Sequence, residues 1–123
     1  MFLTISNPEE YTDNRFGDII VKLMGSSDDL ICKYENYLFA IRRYSNASYE
    51  LSFCEIIRED SDQSFKVKII DESIEVETYK DIGYKIMKSI RVAIPSLKDK
   101  KFPVEKLQFK PIYDVSHAIY TED

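Results

Sequence analysis

The sequence predicts an α+β fold: a five-stranded antiparallel β-meander preceded by one helix and followed by a second, both helices packed on one sheet face, with an extended C-terminal arm. Three observations predict it. Apolar residues recur at helical spacing before residue 25 and again after residue 78, the period falls to two between residues 30 and 78, and Pro103 and Pro111 interrupt the tail. At 123 residues the chain has the length of a single domain, read here as a body over 1–102 and an arm over 103–123.

The first helix is expected over residues 8–24. Asn7-Pro8-Glu9-Glu10 supplies a cap residue, a proline at the first helical position and two acids where the helix dipole favours negative charge. Phe16, Ile19, Ile20, Leu23 and Met24 then share a face, and Gly25 ends the run. The strands follow as runs at 30–35, 37–44, 49–58, 64–70 and 74–78, separated by polar breaks near Glu35-Asn36, Ser45-Asn46-Ala47, Asp60-Ser61-Asp62 and Asp71-Glu72. In this reading Tyr37, Phe39, Ile41, Tyr49, Leu51, Phe53, Phe65, Val67, Ile69, Ile74 and Val76 share one buried face, and Arg42, Glu50, Ser52, Lys66, Lys68, Glu75 and Glu77 occupy a solvated one.

Thr78-Tyr79-Lys80-Asp81 resembles a capping box and opens the second helix. Tyr79, Ile82, Gly83, Ile86, Met87, Ile90, Ala93 and Ile94 fall within an arc of about 140°, the width of a core-facing stripe, and Pro95 stops the helix. In the arm, Leu107, Phe109, Pro111, Tyr113, Val115 and Ile119 alternate, which predicts an extended segment lying on the fold or adding an edge strand.

No catalytic or cofactor fingerprint is present, so no cofactor and no metal are expected. The glycines at 17, 25 and 83 are isolated and form no phosphate loop. His117 is the only histidine, and Cys32 and Cys54 lie apart from it, which supplies none of the paired spacings of zinc sites. Asp60-Ser61-Asp62 with Asp71 follows a calcium-loop register superficially, but Phe65 stands where the loop needs glycine. Asp114, Ser116 and His117 are too close in sequence to be read as a triad, because neighbours in an extended segment point to opposite faces. Arg42 and Arg43 could each hold an anion, but adjacent strand residues also face opposite ways. Both cysteines are expected as free thiols; with no secretory leader pattern at the N-terminus, the expected location is cytoplasmic.

Charge is distributed unevenly. Residues 1–78 carry a net −8, residues 79–110 a net +6 and residues 111–123 a net −3, within an overall −5. Alternate turns of a meander lie at opposite ends of the sheet, so Glu35, Glu59, Asp60 and Asp62 are expected to form one acidic rim, with Tyr34 and Tyr37 beside it as aromatic anchors. Lys80, Lys85, Lys88 and Arg91 form an alternative, cationic face on the second helix. The expected function is non-enzymatic: a small acidic protein that binds and neutralises or escorts another protein, such as a basic toxin or nuclease, in the manner of immunity proteins and phage counter-defence inhibitors. Nucleic acid and membrane are not expected partners. A virion or appendage subunit, joined to its own copies through the arm and the bipolar charge, is the alternative, and a small enzyme the second.

Overall fold

The computed structural model describes residues 2–5, 20–25, 27, 29–44 and 48–121, with Lys80 described by its backbone alone. The start of the first helix, its residues Phe16 and Ile19, and the turn at 45–47 lie outside the described residues. The elements run β1 (Leu3–Thr4), α1 (described at 20–24), β2 (Asp29–Tyr34), β3 (Tyr37–Arg43), β4 (Tyr49–Ser61), β5 (Ser64–Val76), α2 (Lys80–Ala93), β6 (Gln108–Ile112) and β7 (Ile119–Tyr120).

The class is α+β and both helices pack on one face of the sheet, since Ile20 and Met24 of α1 share a core with Ile82, Ile86, Met87 and Ile90 of α2. The sheet has seven strands rather than five, in the order β1-β6-β2-β3-β4-β5-β7. Three differences account for the change, the first being that Leu3–Thr4 pairs with β6 as a short edge strand, β1. The runs at 64–70 and 74–78 belong to one strand, because Asp71-Glu72 is a bulged stretch of β5 and not a turn. The arm folds back, placing β6 against β2 and β7 against β5, the latter as a parallel pair. Pro111 sits in β6 beyond Gln108 and Phe109, the residues that β1 covers, where β6 is itself the edge and a missing N–H is tolerated.

Both faces of the sheet are buried, whereas one was expected. On the helix side lie Leu30, Cys32, Tyr34, Phe39, Ile41, Leu51, Phe53 and Val76. On the other lie Ile31, Leu38, Ala40, Cys54, Phe65 and Val67, covered by Val115 and Ala118 of the arm with Phe2 packed alongside. Phe65, Val67 and Ile69 are therefore opposite Ile74 and Val76 rather than beside them, and the continuity of β5 explains the switch, since Ile69 and Ile74 are an odd number of residues apart in one strand. Between Leu51↔Ile74 and Phe53↔Asp71, β4 advances two residues and β5 three; between Phe53↔Asp71 and Cys54↔Ile69, β4 advances one and β5 two. The two extra residues cancel in their effect on facing, while each bulge sharpens the local twist. Ser73 adopts a left-handed backbone (φ 61) inside this stretch. Further along, β4 carries the extra residues, at the steps spanning Ile57 and Asp60.

The bulges curl the far half of the β4–β5 hairpin across the second face. Its tip reaches β6, three strands away in the sheet order from β4: Lys110 Nζ lies 2.6 Å from Asp62, and Lys33 of β2 lies 2.7 Å from Glu59. Phe2 meets Phe65 edge-on at 6.3 Å, and the Phe65 N–H donates to Ala118 C=O at 2.8 Å. The sheet is thus a partly rolled trough with an apolar interior and charged pairs along its lips.

Candidate protein-interaction surface

The acidic rim assembles as a place but not as a free surface. Glu35 occupies the two-residue turn between β2 and β3 with φ 51, and the Ile56 N–H donates to Asn36 C=O at 2.6 Å, bringing β4 alongside that turn. Glu59 is then paired with Lys33 and Asp62 with Lys110, as above. Asp60 accepts from Arg58 Nε at 2.7 Å and from the Tyr120 hydroxyl. The Tyr120 and Arg58 hydrogen bonds hold the Asp60 carboxyl below its ordinary range, and the Lys110 ammonium draws Asp62 down to about 2. Three of the four rim carboxylates are spent on closing the trough.

The aromatic anchors are also placed differently. Tyr34 is 2% exposed, tilted against Phe102 at 5.6 Å, and burial with the nearby Glu35 and Glu105 charges pushes its phenol up. It belongs to the core, because the helix-side alternation of β2 that buries Leu30 and Cys32 continues through it. Tyr37, its cross-strand partner, is half-buried and stacked on Phe53 at 5.6 Å.

The α2 face has the opposite character. The amphipathic stripe holds Ile82, Ile86 and Ile90 fully buried, so the register of the helix is fixed and the residues outside the stripe point away from the sheet. Among these are Tyr84 (55% exposed) and Val92 (76% exposed), two helical turns apart, with Lys88 between them at 5.9 Å from the Tyr84 ring. Lys85 and Lys88 make no ion pair among the described residues. Arg91 lies over Phe102 at 5.5 Å and donates to Lys100 C=O at 2.9 Å. The Lys80 side chain lies outside the described residues. A recess of about 470 Å³ between Tyr84, Met87, Arg91, Val92, Pro95 and Lys98 flanks the Lys88–Val92 ridge on one side. A second, of about 340 Å³, runs between α2 and Ile70, Asp71 and Ile74 of β5 on the other. The sequence holds a signal for this surface, since Tyr84 and Val92 are large apolar residues outside the core arc. Val92 was not among the residues singled out by charge.

A third cluster lies where β2, β3 and the arm meet. Asp29 is 3% exposed; its Oδ2 accepts from the Val115 N–H at 2.8 Å, and its Oδ1 lies 3.6 Å from Arg42 Nε. Arg42 Nη2 reaches Asp114 at 2.7 Å. Arg43 points the other way, donating to Gly25 and Ser27 carbonyls at the end of α1, where a cation meets the free C=O groups of a helix terminus. Ser116 donates its hydroxyl to Asp114 at 2.6 Å, not to His117, which is 85% exposed and 3.9 Å from the same carboxylate. That arrangement ties the arm down and forms no nucleophile–base pair. Among the described residues no group of three or more His, Cys, Asp or Glu could hold a metal ion, and no helix is long and apolar enough to cross a membrane. Compared with protein-family models, curated proteins and solved structures, the chain finds no match in any of the three.

Proposed function

We propose that this chain is a non-catalytic protein-binding domain that binds and masks or escorts another protein, and that it docks through the exposed face of α2. The observation that carries the reading is the row Tyr84, Lys88 and Val92: exposed apolar surface beside cations with no carboxylate partner among the described residues. Tyrosine and arginine are the residues in which interface hot spots are enriched, methionine is enriched at interfaces generally, and Tyr84, Arg91 and Met87 all lie on this face. The acidic rim is the weaker candidate, because moving Glu59, Asp60 or Asp62 onto a partner would break pairs that close the trough. Assembly through a free arm is weaker still, since β6 and β7 are already committed to the sheet.

Affinity capture from the source organism, run with three forms of the protein, tests this. A specific co-purifying protein should be retained by the native chain and by Glu59→Gln/Asp62→Asn, and lost with Lys85→Glu/Lys88→Glu/Val92→Glu. Loss with the rim variant and retention with the α2 variant would move the interface to the rim. Conversion of a small-molecule substrate by the native chain would replace the binding reading with an enzymatic one.

A further inference from the structure

The larger recess beside α2 indicates what a partner would place there. Its lining divides into an apolar cup, formed by Tyr84, Met87, Val92 and Pro95, and a cationic lip formed by Lys88, Arg91 and Lys98; among the described residues no carboxylate lines it. The recess across the ridge differs, since Asp71 lines that one. Charge complementarity therefore assigns the anionic part of any partner to the Lys88–Lys98 side. Arg91 contributes its positive charge to the lip, with Nη2 engaged by Lys100 C=O and Nε shielded from solvent. A lip of three cations favours an anionic group on whatever enters the cup. Met87, buried at the floor with a flexible thioether chain, can repack around side chains of different shape.

Resting on the α2 reading above, we infer that the cup receives a leucine- or phenylalanine-type side chain from an acidic linear segment of the partner protein, whose flanking carboxylates meet Lys88, Arg91 and Lys98. A protein segment fits better than the other polyanions. Nucleic acid would use exposed aromatic faces for stacking, and the aromatic on this face, Tyr84, has Lys88 over its ring. An anionic bilayer would need apolar side chains projecting from a convex face, whereas the apolar atoms here line a concavity.

The test is a fluorescence-anisotropy titration of the intact protein with a short labelled peptide of glutamates around a central leucine, repeated with that leucine replaced by glycine and with lysines in place of the glutamates. Backbone amide shifts of the protein are recorded alongside. The glutamate–leucine peptide should bind saturably and shift Tyr84, Met87 and Val92. The glycine version should bind about tenfold more weakly or worse, the loss expected for one buried aliphatic anchor, and the lysine version should not bind. Val92→Glu, at a position exposed enough to leave the fold intact, should weaken the first peptide about tenfold. Equal binding of the leucine and glycine peptides overturns the cup, and tighter binding of a labelled oligo-dT or of phosphatidylserine vesicles overturns the choice of partner. No binding of the glutamate–leucine peptide overturns this inference alone; the α2 docking reading fails separately, when Lys85→Glu/Lys88→Glu/Val92→Glu still captures the intact partner.

Discussion

Asp29 is the sharpest place to test how the arm is held. Asp29→Ala removes the acceptor for the Val115 N–H, a hydrogen bond of 2.8 Å in a buried site, and an orphaned buried donor costs about 1–3 kcal/mol. Arg42 loses a carboxylate at 3.6 Å but keeps Asp114 at 2.7 Å on the partly exposed lip, so the lost ion pair adds about 1 kcal/mol or less. The total is about 1–4 kcal/mol, a sizeable share of the roughly 5–15 kcal/mol of an ordinary domain. Asp29→Asn retains an oxygen for Val115 and relieves the desolvation of a buried charge, so its cost should be about 1 kcal/mol. Urea unfolding followed by circular dichroism measures both, and amide exchange at Phe65, whose N–H is bonded to Ala118 C=O, reports whether the arm loosens first. Equal destabilisation by Ala and Asn would mean that the charge, not the hydrogen bond, holds Val115. A negligible effect of Ala would mean that the arm is not anchored there at all.

Three other outcomes are expected. Ile86→Asp, at a position with no exposure, places a charge between α2 and the sheet and should unfold the domain, while Lys85→Glu should melt close to the native chain. Asp62, drawn down to about 2 by Lys110, contributes stability that is present above the ordinary carboxylate range and lost as pH falls from about 4 through about 2. Lys110→Met should accordingly move the Asp62 carboxyl upward in a carbon-detected NMR titration and flatten the acid limb of the stability profile. Cys32 and Cys54 lie on opposite sheet faces, separated by β3, too far apart to bridge; burial pushes both thiols up, Cys54 to about 11. Both should resist a thiol reagent at neutral pH until urea unfolds the chain, and the intact mass should match the fully reduced form.

Local pattern carried α2 and most of the strand positions, because an amphipathic arc and a two-residue alternation are set by nearest neighbours along the chain. Two-sided burial was also written locally, in uninterrupted apolar runs: Leu30, Ile31 and Cys32 are all buried, as are Leu38 through Ile41. Reading those runs as one-faced strands hid the second core. The bulges left traces in the doublets Ile56-Ile57 and Ile69-Ile70, where strict alternation fails and one member of each, Ile57 and Ile70, is left exposed. What no local pattern contained were the partners of the candidate site residues. Phe102 covers Tyr34, Lys33 takes Glu59, and Lys110 takes Asp62, each a contact between residues far apart in sequence. An acid in a turn looks the same whether it faces solvent or a lysine brought round by a curled sheet.

The curl also changes what the charge asymmetry means. The overall −5 suggests attraction to cations, but exposed charges are screened beyond about 8 Å at physiological ionic strength, so an approaching partner responds to the local set and not to the sum. Along the trough's lip, Lys33, Arg58 and Lys110 neutralise Glu59, Asp60 and Asp62 at contact distance. Beside α2, Lys88, Arg91 and Lys98 surround an apolar recess with no carboxylate in its lining among the described residues. Folding therefore pairs off acids from the acidic half while leaving cations of the basic half outward. A net-negative chain built this way presents a locally positive face, and association of the proposed acidic segment with it should slow as salt rises despite the chain's overall negative charge.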